Sequence, residues 1–447
     1  MNNRFVKIIS PDRAVNMFLV LAVLCIAVTV HSDPPPRRDW TKQIRHNTNF
    51  GLESRYQNLG HKRQVDGRLT WATSATKGPH QLGLAAWLAY GSATGLYGQQ
   101  GHRLGLAAAA PKRERRRRWA ELDELFWTVG WGDVDFTLGK RQDPDPSGLA
   151  TDRLAPQDLN EPTSPRPYSR WLLAFELYNG DTAFDLSLFP FFIPSQRPAA
   201  TSPWHRTPDG SGQGFYFSGP QSGSRGETRP RGPAQTLLTL NYRAYRSLGN
   251  WDLGLAWGPD QYPVLGQSRR ADPLPVRRYV RKTYLFGGLT RTTGPVEAET
   301  RITAQLSGND DRFLTGSFGL HRSFGPGNTP FFKWLDLKAS WGGEWIFTDL
   351  NGPEHSAKHN TKYSAKKSRP NRNDLGASIR LSRPATDLSL GLDHLFADDS
   401  FMLHVALRHQ RGPLGTRIGG EIFGGTAGYY GRWDRNDRLL LDLDYSW

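Results

Sequence analysis

The sequence predicts an all-β fold, a transmembrane antiparallel barrel of about 18 strands with long external loops and short periplasmic turns. Three observations carry that prediction. The chain ends on a strict period of two, with Leu439, Leu441, Leu443, Tyr445 and Trp447 on one face and Asp442, Asp444 and Ser446 on the other. One face suits lipid and the other water, so this chain end belongs in a closed sheet rather than in a frayed, polar terminus. Second, only 37% of residues are hydrophobic while 12% are aromatic, with 15 Trp and 47 Gly. A lipid-facing band with aromatic girdles around a polar lumen has that composition. Third, compact Gly, Pro or Asn turns alternate along the chain with long polar segments.

At the N-terminus, Arg4, Lys7 and Arg13 accompany an apolar run from Ala14 to Val30, and Ser32 supplies a small residue for cleavage before Asp33. Residues 1–32 therefore read as a signal peptide. The rival, a retained anchor helix, has a run barely long enough to cross a bilayer. The one cysteine, Cys25, lies in this segment, which excludes disulfides and cysteine-based metal sites from residues 33–447. Losing Arg4, Lys7, Arg13 and Asp12 takes the formal net charge from +15 to +13, an excess that favours anionic partners.

Residues 33–447 read as one barrel domain, because no Pro/Ser-rich linker divides them. Residues 33–60 are either a periplasmic extension or the first strand. Arg45 to Tyr56, Val65 to Thr76 and Leu82 to Tyr90 all read as strands. The strand total that includes all three is odd, so either the first lies outside the wall or a strand is missing from the count.

Alternation is clearest from Val296 to Leu306, where Val296, Ala298, Ile302, Ala304 and Leu306 share a face and Glu297, Glu299, Arg301, Thr303 and Gln305 share the other. Leu335 to Phe347 repeats it, as do Trp251 to Trp257, Leu375 to Leu381, Leu388 to Leu392 and Phe401 to Leu407. The phase turns Arg243, Arg301, Lys338, Arg380, Arg408 and Arg417 toward the lumen among Glu297, Glu299, Asp336, Asp374, Asp387 and Glu421. The expectation is a basic lumen of mixed charge, with some pairs formed across strands.

Counting back from a last strand that ends in the periplasm assigns each connection to a side. Asn179-Gly180-Asp181, Leu248-Gly249-Asn250, Thr293-Gly294-Pro295 and Arg383-Pro384-Ala385 fall on the periplasmic side. Residues 142–167, 193–233, 259–277 and 351–372 fall outside. That split matches the asymmetry of outer-membrane barrels.

The densest charge, Lys112 to Arg118, is also external by parity. It suits anionic sugar or lipid headgroups, or steering of anions to a pore mouth, against the plainer reading of a solvated loop. Nucleic acid is not an expected partner of a secreted, lipid-facing barrel. In the segment from Ile193 to Pro233, Trp204, Phe215, Tyr216 and Phe217 stand among Arg and Gly. They fit either stacking on sugar rings beside a constriction or packing on neighbouring loops. His404 has no recognisable Ser or acid pair and His394 is no better placed, so no catalytic set is expected. His355 and His359 have helical ligand spacing in a loop without a strong acidic partner, so neither metal nor cofactor is implied.

The turn Gly132-Asp133, the strand Val134 to Gln142 with its Leu138-Gly139-Lys140-Arg141-Gln142 ending, and the segment Asp152 to Pro162 resemble the alginate-export type of outer-membrane porin. Lys140-Arg141 stands where that family has a single Arg, and Glu161 interrupts its Asn-Pro element. The resemblance implies a loop folded into the barrel, with Lys140, Arg141 and Arg153 as selectivity residues and Asp158 and Asn160 on the substrate path. It also implies an outer-membrane channel for anionic or polar solutes, acidic oligosaccharide or polysaccharide among them. The partners expected are outer-membrane lipid and lipopolysaccharide, a periplasmic component if the direction is export, and the barrel-assembly machinery. The last would read Leu443, Tyr445 and Trp447. A scaffold barrel closed by its own loops or by a partner protein is the rival, and an outer-membrane enzyme comes third.

Overall fold

Tight turns punctuate the wall. Gly132 and Gly180 hold φ of 62° and 55°, a left-handed conformation that glycine adopts without strain and that matches the twist of a two-residue hairpin. The computed structural model describes residues 45–59, 62–91, 118–142, 157–158, 166–193, 227–228, 230, 232–260, 264–266, 276–307, 312–325, 334–348, 372–396, 399–425 and 437–446. The leader reading of residues 1–32 lies outside them, as do Arg153, Asn160, His355, His359, Trp447, the loop aromatics Trp204, Phe215, Tyr216 and Phe217, and the basic run before Arg118.

The wall strands in chain order are β1 (Arg45–Leu59), β2 (Lys62–Lys77), β3 (His80–Gly91), β4 (Arg118–Trp131), β5 (Val134–Arg141) and β6 (Arg170–Asn179). Next come β7 (Thr182–Phe189), β8 (Leu237–Arg246), β9 (Gly249–Pro259), β10 (Arg281–Thr293), β11 (Val296–Ser307) and β12 (Arg312–Phe324). The last six are β13 (Trp334–Thr348), β14 (Arg372–Ser382), β15 (Thr386–Leu395), β16 (Ser400–Arg411), β17 (Leu414–Gly424) and β18 (Arg438–Ser446). All belong to one 18-stranded sheet in which each strand pairs antiparallel with its neighbour in sequence. The ring closes where β1 meets β18, with Phe50 opposite Tyr445 and Leu52 opposite Leu443. Closure leaves no unpaired edge, the condition lipid imposes on any sheet. All three N-terminal candidate strands stand in the wall, and the total is even.

Alternation decides which face each residue takes. Trp127, Leu138, Leu253, Leu285, Ile302, Phe318, Trp341, Ile379, Leu390, Val405, Ile418 and Tyr445 are exposed on the outer face, and the residues between them point inward. Rings gather on that outer face near the short turns. His80 stacks on Trp127, Trp127 meets Phe136 edge-on, and Phe136 leans on Phe175, so β3 to β6 carry part of an aromatic girdle.

The connections divide by end. Two-residue turns such as those at Gly132, Gly180, Gly294 and Gly412 join strands at one rim, the short-turn end, as the parity count requires. Residues 142–169, 190–236, 260–280 and 349–371 connect strands at the other, the long-connection end. Two of these long segments are tied together: Glu227–Thr228 pairs in parallel with Val276–Arg278, which pairs antiparallel with Val264–Gly266. A second small ladder joins Gln157–Asp158 to Arg166–Pro167.

On one arc the inner face is itself a hydrophobic core. Leu172, Ala174, Phe189, Leu237, Ala256, Tyr284 and Phe286 cluster on the inward phase of β6 to β10. Tyr284 is 1% exposed, and a ring that faces a lumen yet is shut from solvent has protein over it. The buried pair Asp260 and Lys282 lies beside it, with Nζ 2.6 Å from the carboxylate and the Tyr284 hydroxyl donating to the same oxygen at 3.0 Å.

Candidate channel lumen

The inward phase of the wall brings most of the sequence-expected basic residues into one cylinder and gives most of those an acid. Arg380 pairs with Asp387 at 2.5 Å, Arg408 with Asp444 at 3.6 Å and Arg417 with Asp442 at 3.6 Å. Arg301 pairs with Glu299 on its own strand. Arg438 binds Glu421 at 2.5 Å and is almost fully buried. The exposed members of this set are worth little individually to stability. Their effect is on the lumen, where each guanidinium is partly neutralised by its neighbour.

Lys338 is set differently. It faces His321 on β12 and Ser378 on β14 in register, and it is exposed. His321 Nε2 lies 3.5 Å from Asp336, while the Ser323 hydroxyl donates to Asp336 at 2.5 Å and lies 3.3 Å from the same imidazole nitrogen. Both contacts meet one nitrogen, so the carboxylate does not orient the imidazole from its far side as hydrolytic triads require. His404 faces the lumen over Gly391 and opposite Glu421, whose carboxylate is taken by Arg438. Among the described residues no group of three or more His, Cys, Asp or Glu side chains could hold a metal ion.

The expected basic lumen needs correction near the short-turn end of β5 to β9. There Asp135 faces Glu176, Glu176 faces Asp185, and Asp252 faces Arg243, all on the inward phase. Arg243 is the one base on this inner patch among the described residues, held by Asp185 at 2.8 Å and near Glu176 at 3.9 Å. The reason the sequence misled is that Asp135, Glu176 and Asp185 lie on short strands whose phase was not assigned.

Toward the long-connection end the wall from β2 to β7 is basic and aromatic. Arg141 lies 4.6 Å over the Phe126 ring, Arg170 lies 3.7 Å over Phe189 and Arg68 lies 4.3 Å over Trp87. Arg141 and Arg170 are direct register partners. Phe126 can lie flat because its neighbour is Gly83, where a Cβ would come within 2.2 Å of the ring. Lys140 is a further correction: successive residues of a strand take opposite faces, so Arg141 points inward and Lys140 shares the outward phase of Leu138. Its side chain is 2% exposed, with Nζ donating to the Leu122 carbonyl at 2.6 Å. Asp158 is placed only as part of the small ladder, opposite Arg166. Arg68 and Arg170 were missed as lumen residues, although Arg170 begins the period-two series Arg170, Leu172, Ala174, Glu176 that would have revealed it.

The outer face of β18 carries the terminal pattern, with Leu439, Leu441 and Tyr445 exposed. Leu443 lies on the same phase and is half-buried.

No family model matches this sequence, and no curated protein does. Among solved structures, OccAB1 of Acinetobacter baumannii superposes with a TM-score of 0.52 at 9% identity, covering 93% of this chain and 99% of that one. A BenF-like porin of Pseudomonas fluorescens Pf-5 gives a TM-score of 0.51 at 8% identity, covering 91% and 99%. The fold is that of a porin barrel. Identity this low concerns architecture alone, and neither porin named is of the alginate-export type. The resemblance drawn from residues 132–162 is therefore supported at the level of a porin barrel.

Proposed function

We propose that this chain is an outer-membrane channel that admits small polar solutes, anions among them, through a porin barrel. One observation carries the reading: a closed ring whose outer face is apolar encloses a wall lined by arginine–carboxylate pairs. Lipid requires the first feature, and the second is what a permeating polar solute needs. Paired charges hold a solute weakly enough to release it, whereas unopposed ones would trap it. Arg141, on the inward phase at the long-connection end, would lower the barrier for an anion arriving from outside. Acidic saccharides are the finer candidate, because aromatic faces beside guanidinium donors suit sugar rings and carboxylates together.

A second reading has its own support. The inner apolar core around Tyr284 and Phe286 is covered, which a scaffold barrel with an occluded lumen would also show. Planar-bilayer recording of the full chain separates the two. Defined conductance steps that scale with salt support the channel, while a membrane-inserted barrel that never conducts supports the scaffold and overturns the proposal. Added acidic oligosaccharide should produce transient current blocks that neutral oligosaccharide of equal size does not.

A further inference from the structure

Most of the lumen arginines meet carboxylates, but among the described residues a second set of cations, on the outer face, does not. Lys77, Arg246, Arg291, Arg322 and Arg411 occupy the outward phase at the short-turn end, and all are exposed. Each is the last or second-last outward position of its strand at the short-turn end. Arg291 follows Leu285 and Leu289, Arg322 follows Phe318 and Leu320, and Arg411 follows Val405 and Leu407, so each closes an apolar stripe. Their register partners are His80, Gly249, Ala298, Val296 with Leu337, and Leu414, none of them acidic. Arg322 also lies 4.5 Å over the Phe324 ring. At the long-connection end the contrast is Arg281, whose guanidinium stacks 3.7 Å over Trp257 and donates to the Pro233 carbonyl at 3.0 Å.

Long basic side chains at the edge of a lipid-facing band run their stems along the apolar surface and hold their charge at headgroup level. The acceptors at that level are phosphates. We infer that these five residues form a belt that binds the phosphate groups of anionic glycerophospholipids in the leaflet beside the short turns. The inference rests on the outer-membrane reading, in which that leaflet is the periplasmic one and lipopolysaccharide lies at the opposite rim. Charge complementarity commits the belt to lipid phosphate: the outward phase offers cations with apolar neighbours, and only the bilayer supplies anions there. Each cation near an anionic membrane surface should change lipid affinity by about fivefold.

The test is quenching of tryptophan fluorescence in the full chain reconstituted with brominated phosphatidylglycerol or brominated phosphatidylcholine. The lipid-facing Trp127, Trp131 and Trp251 report from the short-turn half of the wall. Phosphatidylglycerol should quench more strongly at equal mole fraction, the preference should weaken in high salt, and it should vanish when all five cations are replaced by Gln. Equal quenching by the two lipids in the unaltered chain overturns the belt, as does a preference that survives the replacements. Displacement of brominated phosphatidylglycerol by lipopolysaccharide would reassign the phosphate source and overturn it too. If the fully replaced chain does not insert, the pair Arg291→Gln and Arg322→Gln, with Arg291→Lys and Arg322→Lys as the charge-retaining control, decides the matter. Failure of the unaltered chain to form a heat-modifiable barrel would instead count against the outer-membrane reading.

Discussion

Arg243 grips Asp185 through two parallel hydrogen bonds, Nε to Oδ2 at 3.0 Å and Nη2 to Oδ1 at 2.9 Å, across strands β7 and β8. The fork fixes the guanidinium plane and makes this one arginine the counterion of a patch that also holds Asp135, Glu176 and Asp252. Arg243→Met should remove that counterion and lower stability by about 2 kcal/mol. Urea unfolding in detergent micelles measures it, and adding Asp185→Asn should recover part of the loss. Two single changes whose effects simply add would show that the fork contributes no coupling.

Ion preference should respond to Arg141 more than to Arg408. Arg141→Glu should move the reversal potential in a salt gradient toward cations, whereas Arg408→Gln should move it less, because Asp444 already offsets that charge. An unchanged reversal potential in the first variant would remove Arg141 from the conduction path.

Lys282 and Asp260 are nearly sealed from solvent, and breaking such a pair leaves a buried carboxylate without its counterion. Lys282→Met should cost about 3 kcal/mol. Lowered melting of the heat-modifiable form is the readout, and Tyr284→Phe, which removes one hydrogen bond, should cost about 1 kcal/mol. Equal effects from both would show that the ion pair contributes no more than the Tyr284 hydrogen bond.

Gly254 should tolerate no side chain. A Cβ there would come within 2.1 Å of the Phe286 ring and within 2.6 Å of Asn241 Oδ1. Gly254→Val should therefore lower the yield of folded barrel sharply, and Phe286→Leu in the same chain should restore some of it. Wild-type yield from Gly254→Val alone would show that the ring can move aside freely.

Assembly should depend on the lipid-side end of the last strand. Tyr445→Asp places a charge opposite Phe50 at the point where the ring closes. The heat-modifiable species in the membrane fraction should fall; undiminished insertion would show that the terminal aromatic pattern is not read.

Much of the wall was legible because its long strands alternate without interruption. From Val296 onward the phase placed Arg301, Lys338, Arg380, Arg408 and Arg417 inward, and the structure has them there. The short-turn positions followed from parity and from residues such as Gly180 and Gly294. What alternation cannot show is which charge partners which, since Arg417 meeting Asp442 depends on the stagger between β17 and β18. Nor does it reveal irregularities. A register shift where β3 meets β4 skips Asp123, since Ala85 pairs with Glu124 and Ala86 with Leu122, so Leu122 and Leu125 share the outward phase although they are three residues apart. Lys140 was misplaced for a simpler reason: a motif was carried over as a unit, although adjacent strand residues cannot share a face.

The pairing of β1 with β18 also governs how the molecule must be made. Because the seam joins the first and last wall strands, the sheet has two bare margins until that seam forms. Its contacts of greatest sequence separation come last, which makes folding slow and exposes those margins to other chains. A wall that has not yet closed is thus a sticky ribbon rather than a smaller version of the pore, and closing the seam is the step at which it becomes safe in lipid.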